Sequence, residues 1–250
     1  MRLTDFYPSP SALRDNELST LNLLSNDPYF ATEHGQFVAD ASATYSQYSY
    51  RARGLRFESF IDVSHTEMRG SKTVDPATGR PKANVRLLIG SLIDQEHNSA
   101  FENISYFLVV SRIGSTPPTI LRKFHFDITP SAAGTRRQSH PLSHLQYCGK
   151  LTKMMQEKLG YRPEHLKHLH FELSEPRVFF WPMSLALLID LSLREFAETS
   201  SYTFRQGADW RNIVRRDEVL LLRRFHQECL RVIDSAVKNR PTLSESFYVN

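Results

Sequence analysis

The sequence predicts an α+β fold: an antiparallel β meander of about four to five strands packed with helices, plus a helical C-terminal part. Three observations predict it. Four segments between Leu55 and Thr129 alternate apolar and polar side chains, with turn-rich pieces and no helical pattern between them. A largely apolar helical stretch opens at Trp181-Pro182, and the residues from Asp209 to Lys238 repeat apolar positions at helical spacing. With 250 residues, 40% of them hydrophobic, the chain has enough apolar surface to build a core.

Taken in order, Ser11–Leu24 (SALRDNELSTLNLL) has helical spacing and Asn26-Asp27-Pro28 stops it, so residues 1–50 read as an N-terminal helical and irregular arm. Tyr45, Tyr48 and Tyr50 lie close to Arg51 and Arg53, a pattern that suits stacking on bases but more commonly covers a sheet edge. Residues 51–240 read as one α+β domain. Its strands are RFESFIDVSHTEM, ANVRLLIGSLID, ISYFLVVSRIG and TILRKFHFDIT, separated by pieces such as DPATGRPK and GSTPP. Strands that follow one another without crossover helices pair antiparallel.

A helix is expected from about Ser139 to Leu159, with Leu145, Cys148, Thr152, Met155 and Leu159 on one stripe and Gly160 as its stop. His168–Leu173 (HLHFEL) alternates as a fifth strand would. The apolar helix beginning at Pro182 runs to about Glu198, where Asp190 is expected to pair with Arg194 one turn later. The last helix carries Val214, Leu221, Phe225 and Val232 as its apolar stripe, and six arginines interspersed with acids, the pattern of a salt-bridged solvent face. Residues 241–250 read as an extended tail, able to add to a partner's sheet edge or to fold back on its own domain.

Composition narrows the function classes. The longest apolar run, Met183–Leu193, is too short to span a bilayer, and the opening residues lack the apolar core of a signal peptide, so a cytoplasmic protein without a membrane partner is expected. Cys148 and Cys229 sit in expected helices among apolar neighbours, with no CxxC pairing and no disulfide framework. A net charge of +4 and a pI near 9.1 permit contact with RNA or DNA without requiring it.

Chemistry concentrates between Leu121 and Tyr147, which hold three of the ten histidines, Asp127 and two adjacent arginines. On a strand, Phe124, Phe126 and Ile128 face one side while Lys123, His125, Asp127 and Thr129 face the other. Asp127 is then placed to orient His125, the arrangement of an acid–base imidazole; the plain alternative is a solvated outer sheet face. His168, His170 and Glu172 repeat the pattern on the expected fifth strand. His140 and His144 share one face if the helix begins by His140, and Arg136 and Arg137 just before it suit phosphate.

No standard motif fits. HPLSH lacks the glutamate of the zincin helix HExxH, and the His125-Phe-Asp127 and His168-Leu-His170 triplets are not the HxT or HxS of two-histidine phosphoesterases. Arg137 and His144 match the arginine-to-histidine spacing of HEPN ribonucleases only loosely, and they follow strands where those proteins are helical.

The reading is therefore a phosphate-directed, nucleic-acid-associated protein with a histidine-dependent phosphodiesterase or nuclease site. His125, Asp127, His140 and His144 are its catalytic candidates, and Arg136 and Arg137 its phosphate ligands. No cofactor is expected. A divalent metal on His125, Asp127, His140 and His144 belongs to a lower alternative, a metal-dependent small-molecule hydrolase. The main rival is a non-catalytic interaction subunit that docks a protein partner through the C-terminal helix or tail.

Overall fold

A computed structural model describes residues 10–28, 30, 38–39, 42–43, 56–65, 85–95, 101–112, 119–128, 140–141, 143–147, 153–162, 177–195, 199–239 and 248–249. Its centre is a six-stranded antiparallel sheet in the order β1-β2-β3-β4-β6-β7. Strands β1 (Arg56–His65), β2 (Val85–Gln95), β3 (Phe101–Arg112) and β4 (Thr119–Ile128) form the meander that the alternating pattern predicts. Strands β6 (Ser143–Tyr147) and β7 (Arg177–Phe179) extend it beyond β4.

The expected helix over residues 139–159 is corrected. His140–Pro141 forms β5, Ser143–Tyr147 forms β6, and the helix α2 occupies only Lys153–Lys158. The physical reason is an open sheet edge. Strand β4 has only one partner in the meander, and β6 supplies the backbone donors and acceptors its other edge needs, in the register Phe126↔Leu145 and Asp127↔His144. The segment also alternates in register with its neighbour: Ser143 and Leu145 lie opposite Ile128 and Phe126 on the core face, and His144 lies opposite Asp127. Sheet pairing outweighs the helical spacing of its apolar residues.

Helices cover one face of the sheet. Helix α1 (Pro10–Asn26) places Leu13, Leu21 and Leu24 in the same core as Leu87, Ile89, Ile104, Tyr106 and Leu108, so the N-terminal helix is built into the domain's core. Its end falls at the Asn26-Asp27-Pro28 stop, where the Asp27 amide donates to the Leu24 carbonyl at 3.2 Å.

The apolar helix α3 (Leu185–Glu195) is buried almost all round, as a central helix must be. It starts three residues after Pro182 because Ser184 is its cap: the Leu187 amide donates to Ser184 Oγ at 3.2 Å. Asp190 pairs with Arg194 at 2.8 Å, as the spacing predicts, and further accepts hydrogen bonds from Arg205 and from the Trp210 indole.

Helices α4 (Thr199–Gln206) and α5 (Ala208–Asp217) follow, and α5 runs through a π-helical segment, Glu218–Arg223, into α6 (Arg224–Asn239). That continuous run is the long last helix of the sequence reading. Cys229 lies half-buried on α6 and forms no disulfide among the described residues, whereas Cys148 lies outside them. The tail folds back on its own chain: β8 (Tyr248–Val249) pairs with β5 in the register His140↔Val249. No helix among the described residues is long and apolar enough to cross a membrane.

Candidate active site

Antiparallel pairing places side chains directly opposite one another on a common face. Opposite Asp127 on β4 stand Ser105 on β3 and His144 on β6; opposite His125 stand Phe107 and Gln146. Three of the four catalytic candidates, His125, Asp127 and His144, therefore come together on the sheet face turned away from the helical core. The helix overturned above had placed His144 beside His140 on a helical face. Instead, β6 places it beside Asp127.

The contact is direct. His144 Nε2 lies 3.4 Å from Asp127 Oδ2, with the His144 side chain 4% exposed and that of Asp127 15%. The His125 ring packs against Phe107 with centroids 5.3 Å apart. Burial pushes the Asp127 carboxyl upward, but hydrogen bonding by His144, the nearby charge of His125 and His144, and a hydrogen bond from Ser105 outweigh it and hold the group below the ordinary aspartate value. Asp127 is thus kept as a carboxylate between two imidazoles.

This face is not the solvated outer surface that alternation alone allows. Ser105, Phe107 and Val109 are buried on it, although Phe107 and Val109 do not belong to the cluster formed with the helices. The central strands are thus covered on both faces, one wholly packed with the helical core and the other mixing apolar with polar side chains. Asp127 Oδ1 is buried and has no hydrogen-bond partner among the described residues, so the polar face retains an acceptor directed away from water.

Ser105, Asp127 and His144 stand in one cross-strand row with the carboxylate in the middle. A serine nucleophile needs the imidazole next to its hydroxyl, so this order excludes a serine triad within the row. Ser105 supports Asp127 instead, a role that its distance in sequence conceals.

His140 begins β5, opposite Val249, and its side chain lies outside the described residues. Arg136 and Arg137 also lie outside them, as do His168, His170 and Glu172 and the tyrosines at 45, 48 and 50. No group of three or more metal-ligating His, Cys, Asp or Glu side chains occurs among the described residues. An open cavity of about 500 Å³ lies between the end of α1 and the α4–α5 junction, lined in part by Leu23, Phe204 and Trp210. It holds Asp27 and Asp209 and no residue of β4 or β6, so its charge is wrong for phosphate and it is no part of the array.

Comparison of the chain with protein-family models, curated proteins and solved structures finds no match. The described residues form an α+β protein whose antiparallel sheet carries a histidine–aspartate–histidine array, with His144 buried and His125 and Asp127 partly buried.

Proposed function

We propose that the protein is phosphate-directed and nucleic-acid-associated, and that the His125–Asp127–His144 array performs acid–base chemistry on a phosphodiester. The observation that carries this reading is the Asp127 carboxylate held between two imidazoles, at 3.4 Å from one and two residues along the strand from the other. His125, whose ring as a whole is less buried than that of His144 although its Nε2 is enclosed, is the imidazole assigned to proton transfer. It takes a proton from the attacking water or hydroxyl and returns it to the departing oxygen. Asp127, two residues along the same strand face, offsets its charge, and His144, almost fully buried, positions Asp127 rather than touching substrate.

Phosphate recognition falls to Arg136 and Arg137. They lie on the connection from β4, which ends next to Asp127 at Ile128, to β5, which begins at His140. Both arginines thus follow the strand that carries the array in sequence, and a guanidinium suits the bidentate binding of phosphate. Lys123 adds a third cation on β4.

The test is cleavage of a panel of RNAs and DNAs, with and without added divalent metal, by the wild type and His125→Ala. Activity in the wild type and its loss in the variant are expected. Full activity in folded His125→Ala overturns the assignment.

A second reading, a protein-interaction subunit, is favoured by a different observation. Tyr147, Val178 and Trp181 are exposed apolar residues at the β6–β7 end of the sheet, where Trp181 packs on Phe180 with centroids 4.1 Å apart. A wild type inert across the whole panel moves the conclusion to that reading.

A further inference from the structure

On the other face of the sheet, two carboxyl groups are buried together. Glu17 on α1 and Asp217 at the end of α5 are both 0% exposed, although 200 positions separate them in the chain. Four elements close around them. From β3, the Tyr106 hydroxyl donates to Glu17 Oε1 at 2.6 Å; from α3, the Leu185 amide donates to the same oxygen at 3.4 Å. Asp217 Oδ2 accepts from Asn16 Nδ2 on α1 at 3.1 Å and from the Ser184 hydroxyl that caps α3. Asp217 Oδ1 accepts from Arg216 Nε at 3.2 Å.

One cation therefore faces two acids among these groups, and Arg216 makes its ion pair with Asp217. Glu17 Oε2 is buried with no hydrogen-bond partner among the described residues. An ionised carboxylate with a bare buried oxygen is costly, whereas a carboxylic acid in the same place carries no charge to desolvate.

We infer that Glu17 and Asp217 retain one proton between them, and that this proton latches α1 onto the sheet and onto the α3 and α5 helices. Burial raises Asp217 as well, but Asp217 holds Asn16, Ser184 and Arg216, so it keeps the charge and Glu17 keeps the proton. Every polar contact that Glu17 and Asn16 make in this cluster joins α1 to another element, so ionising Glu17 acts on the docking of α1. The π-helical segment that starts at Glu218 follows Asp217 directly, which puts the latch at a point where helical geometry already departs from regular.

The direction of the effect follows from proton linkage. Burial, followed by the nearby Asp217 charge, raises Glu17 from 4.5 to about 8, against the lowering contributions of Tyr106, Leu185 and Arg216. Docked Glu17 is protonated across the window between those values, while undocked Glu17 is ionised. Docking therefore weakens about tenfold for each pH unit as pH rises through the window, and levels off above about 8.

The experiment is amide hydrogen exchange of residues 13–24 in the full chain at pH 5.5, 6.5 and 7.5, corrected for the intrinsic rate at each pH. Wild-type protection is expected to fall about tenfold per unit, and Glu17→Gln, which keeps the acceptor for Tyr106 without an ionisable group, to give the same protection at all three. Should Glu17→Gln fail to fold, Asp217→Asn serves: with the neighbouring charge removed, Glu17 titrates at lower pH and the fall in protection between pH 6.5 and 7.5 is shallower than in the wild type. Protection independent of pH in the wild type overturns the latch, as does a wild-type slope in a folded Glu17→Gln protein or a fall between pH 6.5 and 7.5 in Asp217→Asn as steep as the wild type's.

Discussion

Asp127 and His144 face one another across the β4–β6 pair, with Oδ2 and Nε2 3.4 Å apart on a sheet face that is buried even though the helices pack on the other side. The contact joins the meander to the strand that extends it. It links stability and proposed chemistry through one carboxylate.

Asp127→Ala is expected to lower stability by roughly 1–3 kcal/mol, because it leaves a buried imidazole without its partner. His144→Ala should cost a similar amount, and the double variant should cost less than the sum of the two, since each single change already breaks the shared interaction. Urea unfolding of the three variants at pH 7 checks this. Strict additivity would mean that the pair contributes nothing.

Acid unfolding should follow the same carboxylate. Asp127 and Asp190 are both held below the ordinary aspartate value, so each contributes stability that is present above that value and lost as pH falls through its folded pKa. Asp127→Asn should therefore flatten the loss of stability below about pH 4. Thermal melts between pH 2.5 and 5 measure it, and an unchanged acid limb would contradict it.

His125→Ala is expected to reduce phosphodiester cleavage by about 10²–10⁴ while leaving nucleic-acid binding within a few-fold, because a positioned acid–base group contributes to the transition state far more than to binding. Asp127→Asn should cost less than His125→Ala. Single-turnover rates beside binding curves separate the two effects, and equal losses in rate and affinity would assign His125 to recognition alone.

Replacing Arg136 and Arg137 together with alanine should weaken binding to all sequences alike and lower the salt dependence, by about 0.9 in log–log slope for each duplex phosphate left without its guanidinium. Fold stability should change little. A salt titration is the measurement, and an unaltered slope would remove both arginines from the phosphate site.

Around Asp190 the order of effects should follow exposure. Arg194 is 60% exposed, so Arg194→Ala is expected to cost about 0–1 kcal/mol despite its 2.8 Å contact. Arg205 is 17% exposed and contacts the same carboxylate at 2.9 Å, so its removal should cost more. Asp190→Ala should cost most, about 3–5 kcal/mol, because it also strands the Trp210 indole. Chemical denaturation of the three variants tests the ranking.

Much of the fold was legible because it is local. Four alternating strands need only period-two patterning, α1 needs its stripe and the Asn26-Asp27-Pro28 stop, and the Asp190–Arg194 pair needs only one helical turn. The candidate array was half legible. His125 and Asp127 shared a strand face in the sequence, but the partner that contacts Asp127 comes from a segment read as helix. One signal for the buried pair was present: Glu17 lies on the stripe of Leu13, Leu21 and Leu24, where an acid must be either paired or neutral.

Periodicity within single segments specifies the α+β class, the meander, the central apolar helix and the face on which His125 and Asp127 stand. Tertiary structure alone decided that residues 143–147 are a strand, that His144 meets Asp127, and that Glu17 meets Asp217. The physical reason is the same in all three. The need of β4's edge for backbone partners and the low dielectric around a buried carboxyl arise only when distant segments pack together, and no pattern within either segment encodes them.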